Sequence, residues 1–311
     1  MFLTVIFVEK ILWRSFVGCM KLVKTLSGHS SGIYKLLAEG NMLYSASGDG
    51  IVAAWDISTG EPASFSVKVG QPVFSMHFTK QHILVGQQAG GIHVIDRDGN
   101  REKRHLKLHE KGVFDIVYNP RANHYYTTGG GGSLSVVDAD DFRLLMQIPV
   151  SGMKLRRILP DANFEHIYVS GSDGRITCFE TDYMNEVFSH MAHEGGTYAM
   201  IWGEDGSLLT GGRDAHIRRW KADKSGLVET QSLPAHNYAI YDLVNMSSSR
   251  FASASRDKSV KVWNYSDIQN PERLHNDRPT AHTHSANALL WHNDRLFSGG
   301  DDRHIHIWAE V

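Results

Sequence analysis

The chain has 311 residues, a formal net charge of −2 and only two cysteines, Cys19 and Cys178. No long run of one charge sign occurs, which argues against a protein that binds nucleic acid or an anionic membrane through bulk charge. Two cysteines provide neither a disulfide framework nor a cysteine-based metal site. This cysteine content fits a reducing compartment, and we therefore expect a cytoplasmic protein.

The first nineteen residues differ from the rest of the chain. Met1–Val8 is apolar, but Glu9 and Arg14 interrupt the apolar stretch well before the roughly 20 residues that a membrane-spanning helix needs. The positive charges follow the apolar run, whereas a secretory signal carries them in front of it. We therefore predict that residues 1–19 are an extension outside the folded domain, either untranslated or disordered, and that the domain comprises residues 20–311.

Residues 21–60 predict four short strands. The apolar pattern places them at Lys21–Leu26, Ile33–Leu37, Met42–Ala46 and Ile51–Trp55. The segment Gly48–Gly50 suits a tight hairpin, because glycine tolerates the positive φ that such turns need. No part of the sequence shows a helical period over ten residues, which excludes helical repeats of comparable length.

The same unit recurs down the whole chain. One apolar or aromatic residue near the end of each unit repeats at about 40 to 45 residues, a period typical of repeat proteins; the seven are Trp55, Ile95, Val137, Phe179, Trp220, Trp263 and Trp308. The strand-like runs Ile51–Asp56 and Ser259–Asn264 resemble those of the WD-repeat family, and the resemblance extends over residues 20–311. It implies an all-β fold, a seven-bladed β-propeller of four-stranded antiparallel blades.

The two ends of the chain predict how the ring closes. The strand at Lys21–Leu26 belongs after a Trp-Asp turn, and the chain ends three residues after Trp308 without such a strand. We therefore predict that the N-terminal strand joins the last blade as its outer strand. This pairing closes the ring and covers an otherwise exposed edge, so we expect a monomeric ring.

Four units carry the same polar set of a histidine, a hydroxyl residue, an aspartate and a tryptophan. The sets are His29, Ser45, Asp49 and Trp55; His193, Thr210, Asp214 and Trp220; His236, Ser253, Asp257 and Trp263; and His282, Ser298, Asp302 and Trp308. A Ser/His/Asp combination also occurs in hydrolases, but an enzyme needs one nucleophile in one pocket. Fourfold repetition favours a structural role, and the resemblance implies a buried hydrogen-bond chain from carboxylate to imidazole to hydroxyl to indole. We expect no catalytic residues.

Three units depart from this pattern, and the histidines raise a separate question. Ala89 and Gly131 replace the aspartate in units two and three, and unit four has Asp173 but no histidine. Eighteen histidines invite a metal hypothesis, with His304 and His306 on one strand face. Because no third ligand stands at ligand spacing, we expect no metal site and no cofactor.

The resemblance also implies a binding surface. In this family the residue after the first buried position of each inner strand lies beside the central channel and contacts ligands. These positions are Tyr34, Phe74, Phe114, Arg156, Tyr198, Tyr241 and Asn287, and the residues before the aspartate positions add Arg213, Arg256 and Asp301. Aromatic residues with arginine are typical of protein-binding hot spots.

The predicted function is therefore a non-catalytic scaffold that binds a peptide or protein loop on one face of the propeller, with arginines that favour acidic groups. Two alternatives remain open from the sequence. A propeller-type hydrolase or lactonase would need a channel lined by carboxylates and amides. A lipid-anchored, envelope-associated scaffold depends on Cys19, because Phe16–Cys19 weakly matches a bacterial lipoprotein cleavage site.

Overall fold

The computed structural model describes residues 19–98, 101–223, 225–247, 249–275 and 280–311. The strands, in chain order, are β1 (Met20–Ser27), β2 (Ile33–Glu39), β3 (Met42–Ser47), β4 (Ile51–Asp56), β5 (Pro62–Lys68), β6 (Val73–Phe78), β7 (His82–Gln87), β8 (Gly91–Asp96), β9 (Glu102–Lys107), β10 (Val113–Asn119), β11 (His124–Gly129), β12 (Ser133–Asp138), β13 (Leu144–Pro149), β14 (Leu155–Pro160), β15 (His166–Gly171), β16 (Arg175–Glu180), β17 (Glu186–Met191), β18 (Thr197–Trp202), β19 (Leu208–Gly212), β20 (His216–Asp223), β21 (Gly226–Pro234), β22 (Ile240–Ser247), β23 (Arg250–Ser255), β24 (Val260–Asn264), β25 (Asp267–Leu274), β26 (Ala286–His292), β27 (Arg295–Gly300) and β28 (His304–Glu310).

These strands form seven four-stranded antiparallel sheets, one per repeat. Strands β2–β5 form blade one, β6–β9 blade two, β10–β13 blade three, β14–β17 blade four, β18–β21 blade five and β22–β25 blade six; β26–β28 and β1 form blade seven. The first strand of each blade contacts the first strands of its neighbours, so these strands surround a central channel. The predicted all-β, seven-bladed β-propeller is confirmed. Within the described ranges, no helix could cross a membrane.

Each blade is buried on both faces because it lies between two others. All six residues of β7 are buried, whereas the outer strand β9 is largely exposed and carries charged side chains. The tryptophans at the repeated position pack between blades. Trp55, for example, belongs to a buried cluster that includes Phe297 and Ile307 of blade seven. Burying one such side chain contributes on the order of 2–3 kcal/mol, so the contacts between blades stabilise the ring as a whole.

The ring closes as the ends of the sequence predict. Strand β1 pairs antiparallel with β28, from Met20 opposite Glu310 to Ser27 opposite His304. The Thr25 hydroxyl also lies 2.9 Å from Nδ1 of His306, which adds a side-chain contact to the backbone ladder. Residues 1–18, most of the predicted extension, lie outside the described residues, so that domain boundary stays a prediction.

One irregularity recurs in all seven blades and positions the candidate site. The pairing of the first strand with the second skips a single residue of the first strand in each blade: Tyr34, Phe74, Phe114, Arg156, Tyr198, Tyr241 and Asn287. A residue left unpaired by a bulge turns its side chain away from the regular alternation of the strand. We call these seven the rim residues, and they are the seven inner-strand positions that the sequence predicts for ligand contact.

Candidate functional site

A cavity of about 620 Å³ lies at the mouth of the channel. All seven rim residues and Asp301 line it, so the structure brings together eight of the ten predicted site residues. Arg213 and Arg256 do not line it. Arg213 lies beside Gly195: its Cδ is 3.1 Å from the position that a Cβ atom on that glycine would occupy. The guanidinium of Arg256 lies 5.8 Å from the ring centre of Tyr238. The prediction for these two arginines was a position on the same face as the rim residues, and it stays a prediction.

The rim residues of blades one to three form a continuous aromatic surface. Tyr34 meets Phe74 edge to face at 5.4 Å between ring centres. Phe74 stacks on Phe114 at 5.2 Å with an interplanar angle of 7°. Each pair joins two different blades, so the repeat register places the rings at the same height, and ring pairs of this geometry attract each other beyond simple area burial.

Arg156 continues this surface into blades four to six. Its guanidinium carbon lies 5.1 Å from the ring centre of Phe114 and 4.7 Å from that of Tyr198. Tyr198 then approaches Tyr241 at 6.0 Å. A guanidinium this close to two ring centres gains cation–π attraction from both rings. Burial lowers the pKa of Arg156 and raises that of Tyr241, because both charged forms lose water in this position.

Blade seven interrupts the aromatic surface with polar groups. Asn287 donates from Nδ2 to Oδ1 of Asp301 at 2.7 Å and to the carbonyl oxygen of Ile33 at 3.3 Å. Asp301 is exposed and is the one acidic residue among those lining the cavity. The site therefore has an aromatic and cationic part on six blades and a polar, acidic part on the seventh.

Four charged residues form a layer below the rim that we call the floor; each directly follows a rim residue, and Lys35 and Arg157 are the two that line the cavity. The four are Lys35, Asp115, Arg157 and Asp242. Arg157 pairs with Asp242. Burial and the nearby charge of Arg157 lower the pKa of Lys35, although the two aspartates act in the opposite direction. Sequence reasoning missed this layer. The sequence does contain a signal that could have predicted these residues, because a charged residue directly follows the rim position in four inner strands.

The two floor carboxylates are occupied by structural hydrogen bonds. Asp115 accepts from the backbone N–H of Ile158 at 3.0 Å, which joins blade three to blade four. Asp242 accepts from the backbone N–H of Leu289 at 2.9 Å, which joins blade six to blade seven. Because these oxygens bind backbone donors of a neighbouring blade, they stabilise the ring rather than offering free groups for acid–base chemistry.

The four polar sets form the predicted hydrogen-bond chains. In blade six, His236 lies 3.1 Å from Asp257 through Nδ1 and 2.7 Å from the Ser253 hydroxyl through Nε2, and the Trp263 indole donates to the same hydroxyl at 2.8 Å. Burial alone would raise the pKa of Asp257, but His236 and further hydrogen bonds hold it well below its ordinary value. Blades one, five and seven repeat this arrangement.

These sets do not have the geometry of a catalytic site. Ser253 is fully buried, and its hydroxyl already contacts both the imidazole and the indole. Blade three keeps the chain in altered form, because His109 contacts the Thr127 hydroxyl at 2.8 Å and Ser133 at 3.1 Å in place of the missing aspartate. In blade four, Asp173 instead accepts from the Ser151 hydroxyl at 2.7 Å.

One group among the described residues has metal-ligand chemistry. His282, Asp302 and His306 each offer an atom within 4.8 Å of the others. However, His282 already contacts Asp302 and Ser298 through its two ring nitrogens, and Nδ1 of His306 lies beside Thr25. A metal ion would have to replace bonds of a polar set, so this group fits its structural role better than a metal centre.

Comparison with known families and proteins agrees with the fold. A family model described as WD domain, G-beta repeat matches residues 20–56, 184–221, 227–264 and 276–309. Each segment covers the first three strands of blade one, five, six or seven, the four blades with a complete polar set, and the first three segments also include the outer strand of the preceding blade. The propeller is thus built from WD repeats, and the chain belongs to the WD-repeat family. Members of this family typically act as protein-interaction scaffolds.

Similar proteins are distant in sequence. A WD repeat domain-containing protein 83 homolog of Dictyostelium discoideum is 27% identical over 40% of this chain and 37% of its own length. An F-box/WD-40 repeat-containing protein of Arabidopsis thaliana is 22% identical over 95% of this chain and 60% of its own. Actin-interacting protein 1 of Caenorhabditis elegans is 23% identical over 90% of this chain and 40% of its own. The match thus spans less than two thirds of each of these relatives.

Proposed function

We propose that the protein is a non-catalytic interaction scaffold that binds a peptide or protein loop in the cavity at the channel mouth. The observation that carries this proposal is the contiguous surface of rim residues. Tyr34, Phe74, Phe114, Arg156, Tyr198 and Tyr241 come from six blades, yet each contacts the next. All remain partly exposed at an open cavity.

The rim rings are not needed to fill the blades. The residues on either side of Phe114, namely Val113 and the pair Asp115 and Ile116, are buried, whereas Phe114 itself is only half-buried. Aromatic side chains that retain exposed area in a concave site provide rigid contact surface at low entropic cost. The arginine between them supports a partner with acidic or carboxyl-bearing groups.

The hydrolase or lactonase alternative receives little support from the channel. Such a site needs free carboxylates and amides, but Asp115 and Asp242 each already accept from a backbone N–H group, and Asp242 also pairs with Arg157. The lipid-anchored alternative depends on Cys19, whose thiol lies 3.0 Å from Oε1 of Glu272 on blade six. We propose a cytoplasmic, monomeric ring without nucleic-acid partners, in keeping with the charge and cysteine content.

The combined substitution Phe114→Ala and Tyr241→Ala tests the proposal. These side chains lie on opposite parts of the rim, and neither belongs to a polar set. We expect the melting temperature to change little, while capture of the partner that the wild-type ring retains from a lysate is lost. Tyr183→Ala, at a residue 79% exposed and away from the cavity, is the matched control. Unchanged capture by the double variant would exclude the cavity as the site.

A further inference from the structure

The charges around the cavity are distributed unevenly. Lys111, Lys154 and Arg156 lie on the side formed by blades three and four, around the ring of Phe114; Nζ of Lys154 is 5.7 Å from its centre. The opposite side carries Asp301. None of the three cations forms an ion pair with a carboxylate of the described residues, whereas Arg157 below them is already paired with Asp242. The blade three and four side therefore has free positive charge.

Arg156 is the most constrained of these cations. Its guanidinium lies within cation–π distance of the rings of both Phe114 and Tyr198, and its Nε donates to the Ser172 hydroxyl at 2.9 Å. The rings and this bond fix the guanidinium without supplying a counter-charge. A fixed guanidinium loses little entropy when it takes a carboxylate through two parallel N–H···O bonds, and it has already lost much of its water. These are the properties of a preorganised anion site.

We infer that the blade three and four side of the cavity is a subsite for a carboxylate side chain, glutamate or aspartate, of the bound peptide or loop. Arg156 binds the carboxylate in bidentate fashion, Lys154 and Lys111 add positive potential, and the stacked rings of Phe74 and Phe114 receive an adjacent apolar side chain. This inference rests on the proposed function, because it assigns chemistry to part of the same cavity. A loop of a folded partner, or a peptide bound through an internal segment, presents side chains and no chain end, so a side-chain carboxylate is the assigned source.

The subsite also changes which cations are expected to contact an acidic partner. The sequence suggested Arg156, Arg213 and Arg256 together as the groups that favour an acidic partner. Because Arg213 and Arg256 do not line the cavity, only Arg156 remains, and two lysines that the repeat register did not single out take their place.

Binding of small matched peptides to the intact protein tests the inference. The probes are acetyl-Phe-Glu-amide and its neutral isostere acetyl-Phe-Gln-amide, titrated by NMR. We expect the glutamate peptide to bind about tenfold more tightly than the glutamine peptide, since one charge-assisted bidentate pair is gained. Arg156→Gln should reduce this preference to about twofold or less. Arg156→Lys should retain only part of it, because an ammonium group cannot form the bidentate pair of a guanidinium. Arg175→Gln, on β16 of the same blade and exposed, should keep the full preference.

Separate controls test whether a variant is merely misfolded and whether the bound carboxylate belongs to a side chain. If Arg156→Gln lowers the melting temperature, Lys154→Gln replaces it, since Lys154 is exposed and should still reduce the preference. Equal binding of the two peptides to the wild-type protein would overturn the carboxylate subsite while leaving the aromatic cavity as the peptide site. Binding of neither peptide would overturn both. Tighter binding of acetyl-Phe-Gln with a free carboxyl end, or of acetyl-Phe-phosphoserine-amide, would overturn the assignment to an acidic side chain.

Discussion

Arg157 on blade four reaches across the central channel to the carboxylate of Asp242 on blade six. The same carboxylate accepts from the backbone N–H of Leu289 on blade seven, so one aspartate connects three blades. Both side chains lie mostly out of water, at 22% and 10% exposure. The pair therefore fixes the floor of the cavity and, with it, the positions of the rim residues directly above.

Replacing Arg157 with methionine should destabilise the ring by about 3 kcal/mol, because a buried carboxylate is left without its counter-charge. Urea unfolding followed by tryptophan fluorescence measures this change. Arg175→Met is the control, since that arginine is exposed and, among the described residues, its guanidinium forms hydrogen bonds with the hydroxyl and the carbonyl oxygen of Ser189. Equal unfolding midpoints for wild type and Arg157→Met would show that the pair contributes no net stability.

The polar set of blade six provides a second test. Asp257→Ala should lower the free energy of unfolding by on the order of 2–4 kcal/mol, because the buried His236 loses its carboxylate partner and keeps only hydroxyl partners. Ala89 occupies the corresponding place in blade two, where no such chain exists, and Ala89→Ser should change the free energy much less. Denaturant midpoints of the two variants decide the matter. A neutral Asp257→Ala would mean that the contact with His236 contributes little to stability.

Loss of the closing strand should affect the whole ring. A chain that begins at His29 lacks β1 and exposes the edge of β28, so it should melt at least about 10 °C lower and aggregate. A chain that begins at Met20 keeps β1 and should melt like the full-length protein. Differential scanning calorimetry compares the three chains. Similar melting of the His29 and Met20 chains would contradict the importance of the β1–β28 pairing.

Stability should depend on pH through His109. Burial lowers the pKa of this imidazole from 6.5 to about 4. The unfolded chain therefore binds a proton below about pH 6.5 that the folded ring does not, so stability falls as the pH drops. Between about pH 7.5 and pH 5 this one group should cost roughly 2 kcal/mol. In His109→Gln the free energy of unfolding should fall by about 2 kcal/mol less over this pH interval than in the wild type. Urea unfolding at each pH measures the difference. If the free energies of the two proteins changed with pH in parallel, His109 would not cause the effect.

Much of the fold was predictable because the repeat fixes it locally. The spacing from Trp55 to Trp308, read with the family resemblance, predicted the seven blades and the closing strand, and the structure confirms both. The rim positions follow from the same register, since the bulge recurs at an equivalent residue in every blade.

Other features depend on contacts that no repeat pattern encodes. The Arg157–Asp242 pair joins residues 85 apart on blades that are not neighbours. Arg213 lies beside Gly195 and Arg256 lies near the Tyr238 ring, and their place in the register did not predict that neither would line the cavity. Tertiary geometry decided these cases.

Site-specific photocrosslinking tests the proposed binding site most directly. p-Benzoylphenylalanine in place of Phe74 would lie within the aromatic surface of the cavity, and the same residue in place of Tyr183 would lie at an exposed position away from it. After irradiation in cells, mass spectrometry identifies what each variant has captured. We expect the Phe74 position to crosslink a peptide segment of a partner protein, and the Tyr183 position to give none of that product. Capture of the partner from Tyr183 but not from Phe74 would contradict binding at the channel mouth.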